Sequence, residues 1–322
     1  MMKNLIQNEL IKWFRRPSFY VMSAILVLLS AVGVIFTIMM GSMLDDARSE
    51  SGANGQELSW EESLEQENEY LEMTIEESEE GDRSNLERQL AINEHRLEND
   101  MEPTTGNSVW TYMDENFGLT SLVTLFVVII AAGMIASEFT WGTIKLLMIR
   151  PISRSKILLA KYISVLVFIV IFYTILFVST FVTGAIAFGF DSTPYLLYAG
   201  GEVQEVHPFL YLILKMALSS LGVIMFATIA FMISSVFRNN SLAIGISLFL
   251  LFTGTQITTL VAMKFEWAKY SPFANIHFES LLEGMQIVPG VSFGFSTVMF
   301  FIYFVLLHVV SFWTFVKRDI AA

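Results

Sequence analysis

The sequence predicts an all-α polytopic membrane protein with six transmembrane helices, and three observations carry that prediction. Hydrophobic residues make up 54% of the 322-residue chain and charged residues only 16%, with 28 Phe, a composition foreign to soluble domains. Six apolar stretches, at 18–40, 118–136, 162–187, 209–236, 241–263 and 295–316, each supply the roughly 20 residues needed to cross a bilayer as a helix. Short alternating segments of the kind a transmembrane barrel needs are absent, leaving helices to satisfy the backbone in lipid. The third observation is the charge partition. Residues 41–117 hold 22 Asp and Glu against four Arg, a formal −18, whereas the other 245 residues hold 15 basic and nine acidic residues, a formal +6. The whole-chain value of −12 hides a basic-edged membrane protein that carries one acidic, water-facing insert.

The elements follow in order. Residues 1–17 form an amphipathic interfacial (elbow) helix, with Leu5, Ile6, Leu10, Trp13 and Phe14 on one face and Lys3, Asn4, Gln7, Asn8 and Lys12 largely opposite. Pro17 breaks it before the first crossing, 18–40. An apolar run of about 23 residues is too long for the core of a cleaved signal peptide, so this crossing is expected to stay. Within the insert, Trp60, Leu64, Leu71 and Ile75 are spaced 4, 7 and 4, and Leu86, Leu90, Leu97 and Met101 repeat that spacing. Such intervals keep side chains on one helical face, which predicts an antiparallel helical hairpin. Asp82 or Ser84 is the expected cap of its second helix, and the narrow apolar seam calls for support from the membrane domain or a second copy.

After the second crossing, 118–136, comes the segment 137–161. The third crossing, 162–187, leads through a loop at 188–208 to the fourth, 209–236. A turn at 237–240 joins the fifth, 241–263. Residues 264–294 are too polar and too interrupted to cross, and suit short interfacial or re-entrant helices. The sixth crossing, 295–316, ends in the tail 317–322. With the N-terminus inside, the cytoplasmic side collects twelve Lys and Arg against Glu9, Glu138 and Asp319, and the C-terminus returns inside. The acidic hairpin then lies outside. Lys215, about one turn into the fourth crossing, is expected to snorkel to the outer surface.

Segment 137–161 carries the most information. Glu138 follows the second crossing, Trp141, Ile144, Leu147 and Met148 make an apolar face beside Lys145, Pro151 stops the element, and Ser153 can cap the next helix. A basic loop that merely fixes orientation would also have this composition. Glu138, Gly142-Thr143, Leu146-Leu147, Arg150-Pro151, Arg154 and the run from Lys156 to Lys161 resemble the pattern of ABC-2 type ABC transporter permeases, above all the small bacterial six-helix permease subunits. The six-helix plan, the N-terminal stub and the long outer segment before the last helix extend the resemblance over most of the chain. The 77-residue insert departs from it.

The resemblance implies an exporter permease of the bacterial plasma membrane. It implies two cytosolic ABC ATPase subunits and a second permease copy, homodimeric or heterodimeric, as partners, with no nucleic acid. Residues 137–150 would be the coupling helix that docks into the ATPase, giving Glu138, Trp141, Gly142, Thr143, Lys145, Leu147, Arg150, Pro151 and Arg154 as ATPase-coupling residues. Thr255, Gln256 and Thr259 on the fifth helix and His308 on the sixth are candidates for the translocation path or the dimer interface, although polar side chains at that depth also serve as helix–helix glue. Antimicrobial peptide, lipid, drug and ion are all substrates such families handle. The acidic hairpin favours a cationic peptide among them, while a solvated, self-repelling helical pair is its more ordinary reading.

Other classes are excluded or set aside by what is missing. There is no G-x-x-x-x-G-K-[ST] phosphate cradle, so ATP and Mg belong on the partner ATPase and no cofactor is expected in this chain. Without cysteine there is no disulfide, thiol nucleophile or Cys metal site. His95, His207, His277 and His308 are scattered and no H-E-x-x-H or G-x-S-x-G occurs, so catalysis is not expected. His277, Glu279 and Glu283 lack a fourth ligand for a metal. A membrane-anchored sensor with an acidic extracellular hairpin is the alternative to a permease, and dependence on a partner ATPase separates the two.

Overall fold

The computed structural model describes residues 2–50, 59–78, 80–103, 108–144, 152–190, 193–199, 201–237 and 239–317. Among them, six helices or near-continuous helical pairs are long and apolar enough to cross a membrane. The protein is an all-α, multi-pass membrane protein, and among the described residues one short two-stranded ribbon is the exception.

Helix α1 (Met2–Phe14) lies against the rest of the protein and is separated from α2 (Pro17–Glu50) by the break at Pro17. Its Leu5, Ile6, Leu10, Trp13 and Phe14 are buried or half-buried, while Lys3, Asn4, Gln7 and Asn8 are exposed. Trp13, Phe14 and Phe19 pack on Phe168 with ring centroids 5.7–6.1 Å apart. Beyond this anchor α2 presents Val27, Leu28, Val32, Ile35 and Phe36 outward, an apolar face that suits hydrocarbon.

Helices α3 (Trp60–Glu77) and α4 (Glu80–Glu98) form the hairpin of the acidic insert. Ser59 caps α3 in a reciprocal box with Glu62. Helix α4 already includes Asp82 and Ser84, so neither is the cap that the sequence led us to expect. The spaced apolar residues face inward, with Leu64 and Leu71 buried. The hairpin leans on the ribbon β1 (Tyr195–Ala199) and β2 (Glu202–Val206), where His95 lies 3.5 Å from Glu205, and Arg88 lies against Gly284. This ribbon corrects the expectation of a plain loop at 188–208. Tyr195 pairs with Val206 and Ala199 with Glu202, because a run rich in aromatic and apolar residues and a second run with two Val both suit extended pairing.

The second crossing is made in two pieces, α5 (Val109–Glu115) and α6 (Thr120–Thr140), joined by a 3₁₀ turn. Then follow α7 (Arg154–Phe188), α8 (Pro208–Val236) and α9 (Asn240–Ala262). Segment 264–294 contains two 3₁₀ turns and the short α10 (Phe278–Leu282), and α11 (Phe293–Lys317) completes the bundle. Helices α6 and α8 are the centre, with residues 131–138 of α6 buried without interruption. Interhelical hydrogen bonds tie α7 to α8, from Tyr173 to Ser219 at 3.1 Å and between Tyr162 and Thr228 at 2.8 Å. The connecting segment docks closely on α8. A Cβ built on Gly222 would stand 2.7 Å from the Ile276 carbonyl oxygen, so only glycine allows this approach.

Candidate functional site

At the end of the bundle that carries α1, three elements converge on one charged cluster. Lys161 of α7 is fully buried and donates to Glu9 at 2.8 Å, to Glu138 at 3.2 Å and to the Met134 carbonyl at 3.1 Å. Lys12 donates to the same two carboxylates, at 2.9 Å to Glu9 and 3.0 Å to Glu138. Two acids and two bases therefore neutralise one another. A buried carboxylate pair without these ammonium groups would repel. The Thr143 hydroxyl donates to the second oxygen of Glu138, which ties the residues beyond α6 into the same cluster. Burial opposes the charge on Lys12, but the carboxylates of Glu9 and Glu138 outweigh it and hold its pKa above the usual lysine value.

The local sequence explains how each side chain arrives there. Glu9 sits on α1 between the apolar stripe and Lys12, and docking of the stripe on α7 turns it inward. Helix α6 continues past residue 136 to Thr140, so Glu138 is within the helix and buried. Gly142, at φ +70, then reverses the chain, a conformation that L side chains rarely adopt. Trp141 is 60% exposed and stacks with one face toward Arg16, whose guanidinium also covers Trp13 at 4.2 Å. Burial pulls the Arg16 pKa below the ordinary arginine value. Arg154 donates to the Val316 carbonyl at 3.1 Å, and the Asn240 N–H to Thr140 at 3.2 Å, so the ends of α6, α7, α9 and α11 meet on this side.

Of the residues expected to couple, Glu138 and Thr143 join the cluster, Trp141 and Gly142 border it, and Arg154 sits apart at the start of α7. Lys145, Leu147, Arg150 and Pro151 lie outside the described residues. Sequence reasoning counted Glu9 only as a cytoplasmic acid, placed Lys12 on the polar face of the stub and Lys161 in the run resembling permeases, and did not bring the three together. A single acid in a basic stub and a lysine just before an apolar run were the signals available.

The membrane residues separate into two places. Thr255 shares a hydrogen bond of 3.3 Å with His277, and with Gln256 it lines a cleft of about 370 Å³ between α6, α8, α9 and segment 264–294. Thr259 donates to the Thr255 carbonyl, an internal helix contact. His308 is elsewhere. It donates to or accepts from no carboxylate among the described residues, contacts the Phe304 carbonyl at 2.8 Å and packs on Tyr162, close to the charged cluster. The described residues hold no group of three or more His, Asp or Glu suited to a metal.

Lys215 corrects another expectation. Instead of snorkelling to the surface it is buried, donating to Asp114 at 2.6 Å and paired with Glu283 at 2.5 Å, while Tyr211 also donates to Glu283 at 2.8 Å. Helix α5 and segment 264–294 bring the two acids to it, which no local signal in α8 indicates.

The family profile described as "Protein of unknown function (DUF2705)" matches residues 92–321. The chain is 39% identical to "Uncharacterized protein YhcI" of Bacillus subtilis (strain 168), across 99% of its own length and all of that protein's. It is 28% identical to "Uncharacterized membrane protein YdbK" of the same organism, across 64% of its length and 85% of that protein's.

Proposed function

The chain belongs to the family described as protein of unknown function (DUF2705), and we propose that it is the permease subunit of an ATP-binding-cassette exporter, of the ABC-2 type. The observation that supports this most is the Glu9–Lys12–Glu138–Lys161 cluster. A force applied to the segment after Trp141 enters α6 through Glu138 and Thr143, and reaches α7 and α1 through the two lysines without a flexible joint. A contiguous linkage of this kind is one physical route by which transport could be coupled to a partner.

In this reading both termini and segment 141–153 face the cytosol, the acidic hairpin and the ribbon face outward, and the membrane is the plasma membrane of a bacterium. The basic residues at the α1 end and the acidic insert at the other support that orientation. ATP hydrolysis takes place on two separate ATPase subunits, and a second permease copy completes the path, covering the outward apolar faces of α9 or α11. The substrate is of one of the classes such exporters carry, a peptide, lipid, drug or ion.

The test is purification in mild detergent from native membranes, followed by mass spectrometry. A stoichiometric subunit bearing a P-loop should accompany the wild-type chain and be lost from Trp141→Ala, whose exposed side chain can be removed at little cost to folding. A chain that purifies without any ATP-binding subunit, or that keeps one equally in Trp141→Ala and Gly142→Pro, overturns the coupling role of this segment.

A further inference from the structure

The cleft beside Thr255 and Gln256 has a chemical bias of its own. Glu279 places one carboxylate oxygen in a buried position with no hydrogen-bond partner, while its other oxygen is 3.6 Å from the His277 ring. No Lys or Arg is among the described residues that line the cleft. Two of the hydroxyls there have already committed their protons. Ser121 donates to the Gly118 carbonyl at 2.7 Å and Thr124 to the Thr120 carbonyl at 3.0 Å, so toward the cleft they can only accept. Ser219, Thr255, Gln256 and His277 add further polar groups to the wall, and Val223, Phe226, Leu251, Phe252 and Ile276 make it apolar elsewhere.

A buried carboxylate oxygen without a donor is costly and calls for one. The Glu279 carboxylate and these acceptors, beside apolar side chains, fit a cation with N–H groups and an apolar body, and the carboxylate disfavours an anion. About 370 Å³ is at the lower end for small-molecule pockets, enough for a small amine but not for a peptide as a whole. The lining lacks the several carboxylates that a dehydrated divalent ion requires.

We propose that this cleft binds a lipophilic organic cation through a primary or secondary ammonium group, with Glu279 as the counter-ion and Ser121 and Thr124 as acceptors. If the permease reading above is right, this class is what the exporter carries, and that consequence rests on that reading. The binding itself needs only the isolated chain, so its failure is distinct from a missing ATPase.

The probe is dansylcadaverine, a fluorescent primary amine, titrated into the purified chain in detergent without nucleotide, beside its N-acetylated neutral analogue. The wild type should bind the amine saturably and the acetylated analogue about tenfold more weakly or worse, as loss of a buried charge pair dictates. Glu279→Gln should remove that discrimination while leaving the weak neutral binding in place. Equal binding of both probes by the wild type, no saturable binding of the amine, or unchanged discrimination in Glu279→Gln overturns the site. Should Glu279→Gln fail to fold, Ser121→Cys in this cysteine-free chain gives an independent measure. Maleimide labelling of that cysteine should slow with the amine and not with the acetylated analogue, and equal rates overturn the proposal.

Discussion

Replacing Lys161 with Met tests whether the charged cluster is one cooperative unit. Lys161 is 1% exposed and bonds two carboxylates at 2.8 and 3.2 Å. At an effective dielectric of about 20, each such pair is worth about 5 kcal/mol of Coulomb attraction, much of it cancelled by desolvation. The substitution leaves Glu9 and Glu138 sharing only Lys12, so one buried negative charge is uncompensated. Breaking a buried pair in this way costs about 3–5 kcal/mol. Lys12 holds the same two acids, but its side chain is 35% exposed, and water can take over much of its role. Lys12→Met is therefore expected to cost only about 1 kcal/mol. In the double variant Lys161→Met with Glu138→Gln, the Glu9–Lys12 pair at 2.9 Å remains and charge balance returns. That variant should lose about 1–3 kcal/mol less than the sum of the two single changes. Reversible unfolding in detergent, followed by Trp fluorescence, gives the values for Lys161→Met, Lys12→Met, Glu138→Gln and the double variant. A Lys161→Met cost no larger than that of Lys12→Met, or strict additivity in the double variant, refutes the cluster as a unit.

Other consequences can be measured with the same preparation. The raised pKa of Lys12 means its contribution is complete below the ordinary lysine value of 10.5 and is lost only as pH climbs through the higher folded value, so the wild-type minus Lys12→Met difference in stability should stay flat between about pH 6 and about pH 9. Lys215→Met strands Asp114 and Glu283 and should destabilise by about 3–5 kcal/mol, whereas a snorkelling lysine would show a change near zero in a thermal shift assay. Asn68 and Asn93 are buried in the insert hairpin, each with an unpartnered amide atom, and their spacing puts them in one layer between Leu64 with Leu97 and Leu71 with Leu90. Changing both to Leu should raise the melting temperature of the hairpin's unfolding step; a fall would mean that the two amides pair with each other or with water. Gly222→Ala should push the Ile276 carbonyl and segment 271–279 off α8, seen as faster hydrogen exchange at 276–279, and unchanged exchange would refute the close approach.

The six crossings were legible because the bilayer tolerates only long apolar helices, and a count of consecutive residues is enough to find them. Helical spacing likewise exposed the stripe of α1 and the seam of the insert. Both patterns repeat within one element, so neighbours in the sequence report them. The ribbon at 195–206 was passed over because a two-stranded piece inside a connection of an otherwise helical chain has only a short β signal to mark it.

By itself, the sequence determined the six helices of membrane-crossing length, the acidic insert and the amphipathic N-terminal helix. Tertiary structure alone decided who neutralises whom. Glu9 and Lys161 are 152 positions apart, Lys215 and Asp114 are 101 apart, and neither pairing leaves a local trace. A buried charge carries in its own sequence context only the cost of leaving water, while the compensating partner is set by how helices α1, α6, α7 and α8 happen to pack. The same holds for Glu279, which lines the cleft because Gly222 lets the connecting segment sit against α8.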